Sequence, residues 1–249
     1  MEAKIRNSDY LKQCFTTNVF QKFTEAVGGD ANHFADVLFN KFVVDDFAYG
    51  DDMYYWGVLG YFEKTVVPHK IEVFKAGFEL LDIPAIFDLL KISERKAFKK
   101  NLWLHDMSKF SAPEAFGYAM HDFKNPNSKS KDAFELSWHH HKMNNPHHPE
   151  YWLNPNRSGV LEPIEMPAIY VLEMVADWIG AGKCYGSTIE VWLPENLHKF
   201  RFHPKTICLL MDVLQAIGIS TYSTDINNDM GEMRLFVCEN GTKMNSQNK

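Results

Sequence analysis

From Asp51 to Leu81, apolar and aromatic residues recur at Tyr54, Val58, Tyr61, Phe62, Val66, Phe74 and Phe78. That three-and-four spacing predicts a helix with one buried face. Pro68 interrupts it. Proline has no amide hydrogen for the helical ladder, so the helix is expected to kink or divide there and to leave His69 just past the break. Ser93 is placed to cap a second helix carrying Ala97, Phe98, Leu102 and Trp103, which leads straight into His105-Asp106-Met107-Ser108-Lys109. Ser111-Ala112-Pro113-Glu114 has the form of a capping box with proline in the first turn, so a third helix through Phe116, Met120 and Phe123 begins almost at once.

Asn125-Pro126-Asn127-Ser128 then reads as a loop, and Asp132 to about Lys142 as a short helix stopped by Asn144-Asn145-Pro146. Between Asn145 and Glu162 the chain is rich in Pro, Asn and Gly and carries Tyr151 and Trp152, which predicts an ordered loop of the functional kind. Pro163 to Trp178 reads as a buried helix ended by Gly180-Ala181-Gly182, and His203 to Ile217 as another. Alternation of period two is weak and confined to Ile189–Trp192 and Leu235–Val237. The expected fold is therefore all-α, with a helical extension over residues 1–50, a helical domain over 51–219 and a polar, mobile C-terminal tail over 220–249. No period of 20 to 50 residues marks a solenoid.

Composition narrows the class. In 249 residues, 26 lysines and arginines against 32 aspartates and glutamates give a net charge of −6, which is ill suited to coating nucleic acid. With 45% hydrophobic and 23% charged residues, a folded globular chain is expected. Cys14, Cys184, Cys208 and Cys238 are scattered and form no CxxC pair, which fits a reducing, cytoplasmic setting. The start, MEAKIRNSDYLKQ, has no apolar core of a signal peptide, and Tyr54 to Phe62 is about half the roughly 20 residues of a membrane span.

Histidine changes the picture: there are 11, and His139, His140, His141, His147 and His148 crowd one short stretch. Divalent transition metals take neutral imidazole and carboxylate ligands. His69, His105, Asp106 and Asp177, on successive helices, form a candidate set, and Asp177 sits in an otherwise apolar helix where burial is costly unless it is paired or bound to metal.

This order, His, then His-Asp, then Asp, resembles the HD-domain superfamily of metal-dependent phosphohydrolases over about Tyr54 to Gly182. The combined text HDMSKFSAPEAFGY, WHHHKMNNPHHPEYW and EMPAIYVLEMVADWIGAGK is similar to an uncharacterised phage and bacterial HD-like family with HDxSKF, HHxxxNxHHPEYW and EMxADW signatures. The resemblance implies an HD-like helical bundle with a metal site between helices. It also implies His69, His105, Asp106 and Asp177 as ligands of one or two divalent ions (Mn, Fe, Co, Zn or Mg), Asp106 among the catalytic groups, and a small, nucleotide-like or other phosphorylated substrate.

Other residues are read beside that frame. Lys109 returns to the face of His105 and Asp106 if the helix continues, where it would offset charge on a phosphate oxygen; the alternative is a solvated lysine at a helix end. Helical phase turns His139 outward and His140 and His141 inward. Some HD proteins hold a second metal with extra histidines, a part that His140 or His141 with His148 would fit; the alternative is a loop clamped by imidazole hydrogen bonds. Glu173 either orients a ligand imidazole or faces water. Arg157 is the nearest guanidinium for an anionic substrate, unless its loop is only packed through Tyr151 and Trp152. Trp138, Trp152, Trp178 and Trp192 read as packing residues, because no basic stripe accompanies them. His33, His121 and His198 read as ordinary surface or half-buried histidines, and His203-Pro204-Lys205 as a basic rim or a helix start. Two further chemistries use the same residues: a di-iron HD-like oxygenase, and a non-catalytic binding protein that a metal merely staples.

Overall fold

Helices make up most of the residues that the computed structural model describes, which are 19–41, 58, 60–122, 128–224 and 234–238. In chain order these are α1 (Gln21–Val27), α2 (Ala31–Lys41), a π-helical turn (Phe62–Val66), α3 (Val67–Leu81), α4 (Pro84–Leu89), α5 (Ile92–Leu104), a 3-10 turn (Met107–Phe110), α6 (Ala112–Asp122) and α7 (Ser128–Asn144). After a 3-10 turn at Pro149–Trp152 come β1 (Leu153–Pro155), β2 (Leu161–Pro163), α8 (Ala168–Tyr185), α9 (Ile189–Asn196), α10 (Pro204–Ala216), β3 (Ser220–Thr224) and β4 (Arg234–Cys238). The fold is mostly α, and among the described residues no helix is long and apolar enough to cross a membrane.

The chain forms two units that are discontinuous in sequence: one takes the described residues up to Lys75 with Leu102–Pro146, the other Ala76–Asn101 with the described residues from His147 onward. The first is built on aromatic packing. Phe23 meets Trp103 edge-on with centroids 5.6 Å apart, Phe34 stacks on Trp103 at 4.9 Å, and Phe62 lies against Phe110 at 4.7 Å. Helices from the expected N-terminal extension thus share a core with the helices bearing His69 and His105. In the same unit α6 docks on α7 at Gly117, where a Cβ would overlap the Ala133 carbonyl oxygen and the Ser137 hydroxyl. Ser137 Oγ donates to the Pro113 carbonyl at 2.8 Å and fixes that close approach.

The second unit centres on α8, whose Val171, Leu172, Met174, Val175 and Ala176 are buried, with α10 contributing Ile207, Leu210, Val213 and Leu214. Trp178 packs on Trp192 at 5.3 Å, as the packing reading of the tryptophans requires.

Several local expectations are corrected. At Pro68 the helix changes geometry without ending: a π turn over Phe62–Val66, with the Val67 amide bonded to the Phe62 carbonyl, gives way to α3, which continues to Leu81, so His69 does follow an irregularity. α5 starts at Ile92, one residue before Ser93, and its start is closed by Glu94, whose carboxylate accepts from the Lys91 amide at 2.8 Å. α8 runs through Gly180 and Gly182 and ends at Gly186, in the left-handed region with φ 74° and ψ 32°. Ile189–Trp192 is helical, and the stretch after Asn145 closes as an antiparallel hairpin pairing Leu153 with Pro163. Of the expected tail, β3 and β4 pair from Ser220–Cys238 to Thr224–Arg234. Tyr54, Phe123 and residues 225–233 and 239–249 lie outside the described residues.

Candidate metal centre

His69 projects from the first turn of α3, immediately after the π turn, and is 4% exposed. Its neighbour Lys70 is buried beside it and donates from Nζ to the carbonyl oxygens of Trp103 (2.5 Å) and His105 (2.7 Å). A cation on the last carbonyls of a helix complements the negative end of its dipole, so Lys70 clamps the end of α5. The chain then turns at Asp106, where φ is 58° and ψ 19°. Among the described residues it alone, other than glycine, has positive φ. Aspartate enters the left-handed region more readily than most residues, and strain of this kind gathers at functional sites. The turn leaves His105 and Asp106, adjacent in sequence, both 1% exposed.

Around the Asp106 carboxylate, Oδ2 lies 3.4 Å from His69 Nε2 and 3.5 Å from His105 Nε2, while Oδ1 lies 3.3 Å from His141 Nε2. Lys109 Nζ donates to Oδ2 at 2.6 Å. The helix does not continue to Lys109 as the sequence reading required; the 3-10 turn brings it back to Asp106 instead, and its side chain is only 16% exposed. Burial alone would raise the Asp106 pKa, but His105, Lys109, His141 and His69 around the carboxylate outweigh it and hold the carboxyl well below its usual value.

This donor set could hold a metal ion. Two ligand atoms each about 2.1 Å from a shared ion at a tetrahedral angle stand about 3.4 Å apart, whereas a charge-assisted N–H···O contact settles near 2.7–2.9 Å. The three imidazole–carboxylate separations match the first distance. His69, His105 and Asp106 each offer a ligand atom within 4.8 Å of the others'.

Behind His141 stands a residue that sequence reasoning assigned elsewhere. Glu114, read as half of a capping box, does not reach back to its helix start. Fully buried, it meets His140 Nδ1 at 2.7 Å through Oε1 and His141 Nδ1 at 2.8 Å through Oε2. Ser108 Oγ donates to Oε2 at 3.0 Å and itself accepts from Asn145 Nδ2 at 2.7 Å. Burial pushes the Glu114 carboxyl up to about 8. His140 lies on Glu114 rather than on Asp106, and partial burial together with neighbouring His139 lowers its pKa. His139 is exposed, as its helical phase predicts.

In the second unit, buried His147 Nδ1 lies 3.3 Å from Glu173 Oε1, so Glu173 faces an imidazole and not water. The half-buried His148 ring is 4.4 Å from that of His147, and Asp177 follows Glu173 by one turn of α8, half-buried. Arg157 is exposed on the turn of the β1–β2 hairpin. Lys205 pairs with Glu165 at 3.0 Å, and His203 caps α10, which explains the basic rim as a helix start.

The structure thus brings His69, His105, Asp106, Lys109 and His141 together in the first unit, with His140 one contact removed. Lys70, Ser108, Glu114 and Asn145 were not assigned to the site from the sequence, whereas His147 belongs to the histidine cluster that was singled out there. Lys70 left a trace there, a charge inside the apolar run Val66–Phe74; Glu114 left none, because a capping box explained it locally.

Residues 59–216 match the model of a family of unknown function, DUF5662. The chain belongs to this family. The matched span includes every imidazole and carboxylate of the clusters above, and the family description names no activity. No curated protein matches the chain, and no solved structure does.

Proposed function

We propose that the protein is a metal-dependent phosphohydrolase acting on a nucleotide-like or other small phosphorylated substrate. The observation that carries this reading is the buried set of three imidazoles around one carboxylate, at separations suited to shared ions. His69, His105 and Asp106 would hold one ion, and His141, on the other carboxylate oxygen, would serve a second. When bound, such an ion supplies a Lewis acid and lowers the pKa of a water molecule. An imidazole-rich set favours zinc, iron, cobalt or manganese over magnesium.

The chain's own groups complete the reading. Asp106, ionised and held by Lys109, keeps its two oxygens directed at different imidazoles. Lys109 carries a fixed positive charge beside that carboxylate, where it would meet a phosphoryl oxygen and offset the charge that develops in the transition state. Arg157 is proposed as a second anion contact on bidentate guanidinium chemistry alone.

Imidazoles on both oxygens of Asp106 also favour a second reading, a di-iron oxygenase with the same ligands. Protein purified with and without air, analysed for metals and assayed for phosphate release from nucleotides and sugar phosphates, separates the two. Manganese-, cobalt- or zinc-dependent phosphate release supports the hydrolase. Tightly held iron with oxygen uptake and no phosphate release replaces it by the oxygenase, and bound metal with neither activity leaves the metal-stapled binding protein.

A further inference from the structure

Glu114 is the least exposed carboxylate of the first unit's cluster, and its contacts are asymmetric in a useful way. Its two oxygens are divided between the Nδ1 atoms of consecutive histidines: Oε1 takes His140 and Oε2 takes His141. Residues adjacent on a helix point about 100° apart, so one carboxylate reaching both must be held close against α7. The helix contact at Gly117 and the Ser137–Pro113 hydrogen bond provide that closeness. Ser108 gives the carboxylate a third partner, on Oε2, and Asn145 directs its two amide hydrogens to Ser108 Oγ (2.7 Å) and the His141 carbonyl (2.8 Å). Asn145 Nδ2 also lies 3.1 Å and Ser108 Oγ 3.4 Å from His141 Nδ1, but both are farther than Glu114 Oε2 at 2.8 Å, and the two amide hydrogens have the shorter contacts just named. Oε2 already accepts from Ser108, so it acts as the acceptor toward His141 as well, and the proton between Nδ1 and Oε2 is placed on the ring, an assignment made from the network.

We infer that Glu114 is a positioning residue that holds His141 as its Nδ1–H tautomer and so turns the Nε2 lone pair toward Asp106. A neutral imidazole can bind a metal only through its unprotonated nitrogen, and the partner of the other nitrogen decides which one that is. His140 is the second anchor of the same carboxylate and not a ligand, which is why it contacts Glu114 and stays partly exposed. The metal consequence rests on the metal reading above; the tautomer does not.

The test uses the full chain labelled with 15N-histidine, with His141 assigned through the loss of its signals in His141→Gln. Long-range 1H–15N spectra of the metal-free wild type should show the Nδ1–H form at His141. In Glu114→Gln the amide can accept from only one of the two imidazoles, so the His141 tautomer should become mixed or invert. Binding of Co2+, followed by its visible absorption, should weaken 10–100-fold at unchanged stoichiometry, with an altered spectrum. An Nε2–H tautomer in the wild type overturns the inference and needs no variant to fold. An unchanged tautomer and Co2+ affinity in a folded Glu114→Gln overturns it as well. If the wild type binds no Co2+, the metal reading fails, and the tautomer still decides what Glu114 does.

Discussion

Replacing Gly117 with alanine adds one methyl group at the point where α6 and α7 touch. That methyl would overlap the Ala133 carbonyl oxygen and the Ser137 hydroxyl and lie 2.8 Å from the Ala133 carbonyl carbon. Ser137 is tied to the Pro113 carbonyl, and the Ala133 carbonyl belongs to the backbone of α7, so neither can turn aside at little cost. Carbon–carbon contacts are comfortable at about 3.5–4.0 Å, so the helices must part locally by roughly 1 Å. Overpacking of this kind costs about 1–3 kcal/mol, and the better helix propensity of alanine returns up to ~1 kcal/mol. A net loss of about 1–2 kcal/mol lowers the melting temperature by roughly 2–8 °C. The displacement reaches the site, because Glu114 lies one turn earlier on α6 with contacts of 2.7 and 2.8 Å to His140 and His141, and an extra ångström breaks them. Urea denaturation with and without chelator, paired with a Co2+ titration, should show both losses. The control is Leu136→Ala on α7, a residue 73% exposed, which should stay within about 0.5 kcal/mol of wild type. A Gly117→Ala protein as stable as wild type with unaltered Co2+ affinity would refute the reasoning.

Asp106→Asn should abolish metal binding while tolerating the left-handed backbone, whereas Asp106→Ala should lose metal and a further ~1–2 kcal/mol of stability, measured by denaturation in chelator. In the wild type, a metal at a hundredfold excess over its dissociation constant should stabilise by ~2.7 kcal/mol, seen in calorimetry as a rise of roughly 5–11 °C that chelator reverses and Asp106→Asn lacks. Since imidazole ligands bind metal only when neutral, retention after desalting should fall as pH drops through the histidine range near ~6.5; retention unchanged at about pH 5 would point to ligands other than imidazole. Once a substrate is known, Arg157→Ala and Arg157→Lys should each raise KM at constant metal content, and unaltered kinetics in both would assign the hairpin to packing alone.

Periodicity made the helices legible: the spacing from Val58 to Phe78 and from Ala97 to Trp103 leaves little choice once one face must be buried. The adjacent His105 and Asp106, and the phase that turns His139 out and His141 in, were readable for the same reason. Helix ends were less so. Gly180 and Gly182 look like terminators, yet the residue that enters the left-handed region is Gly186, because packing along α8 outweighs the weak cost of interior glycines. Glu114 was hidden by a pattern with two physical meanings. A glutamate three residues after a helix start can close that start or face away from it, and the docking of α6 on α7 through Gly117 decides the matter. The left-handed turn at Asp106 was equally invisible, since no sequence spacing specifies it.

Elemental analysis of the full chain, purified without chelator and again after loading with Mn2+, Fe2+, Co2+ or Zn2+ and desalting, tests the central claim most directly. The cluster of His69, His105, Asp106 and His141 predicts at least one ion retained per chain, and its loss in folded Asp106→Asn. A folded wild-type chain that retains none of these metals, or an Asp106→Asn chain that retains as much as wild type, would contradict it.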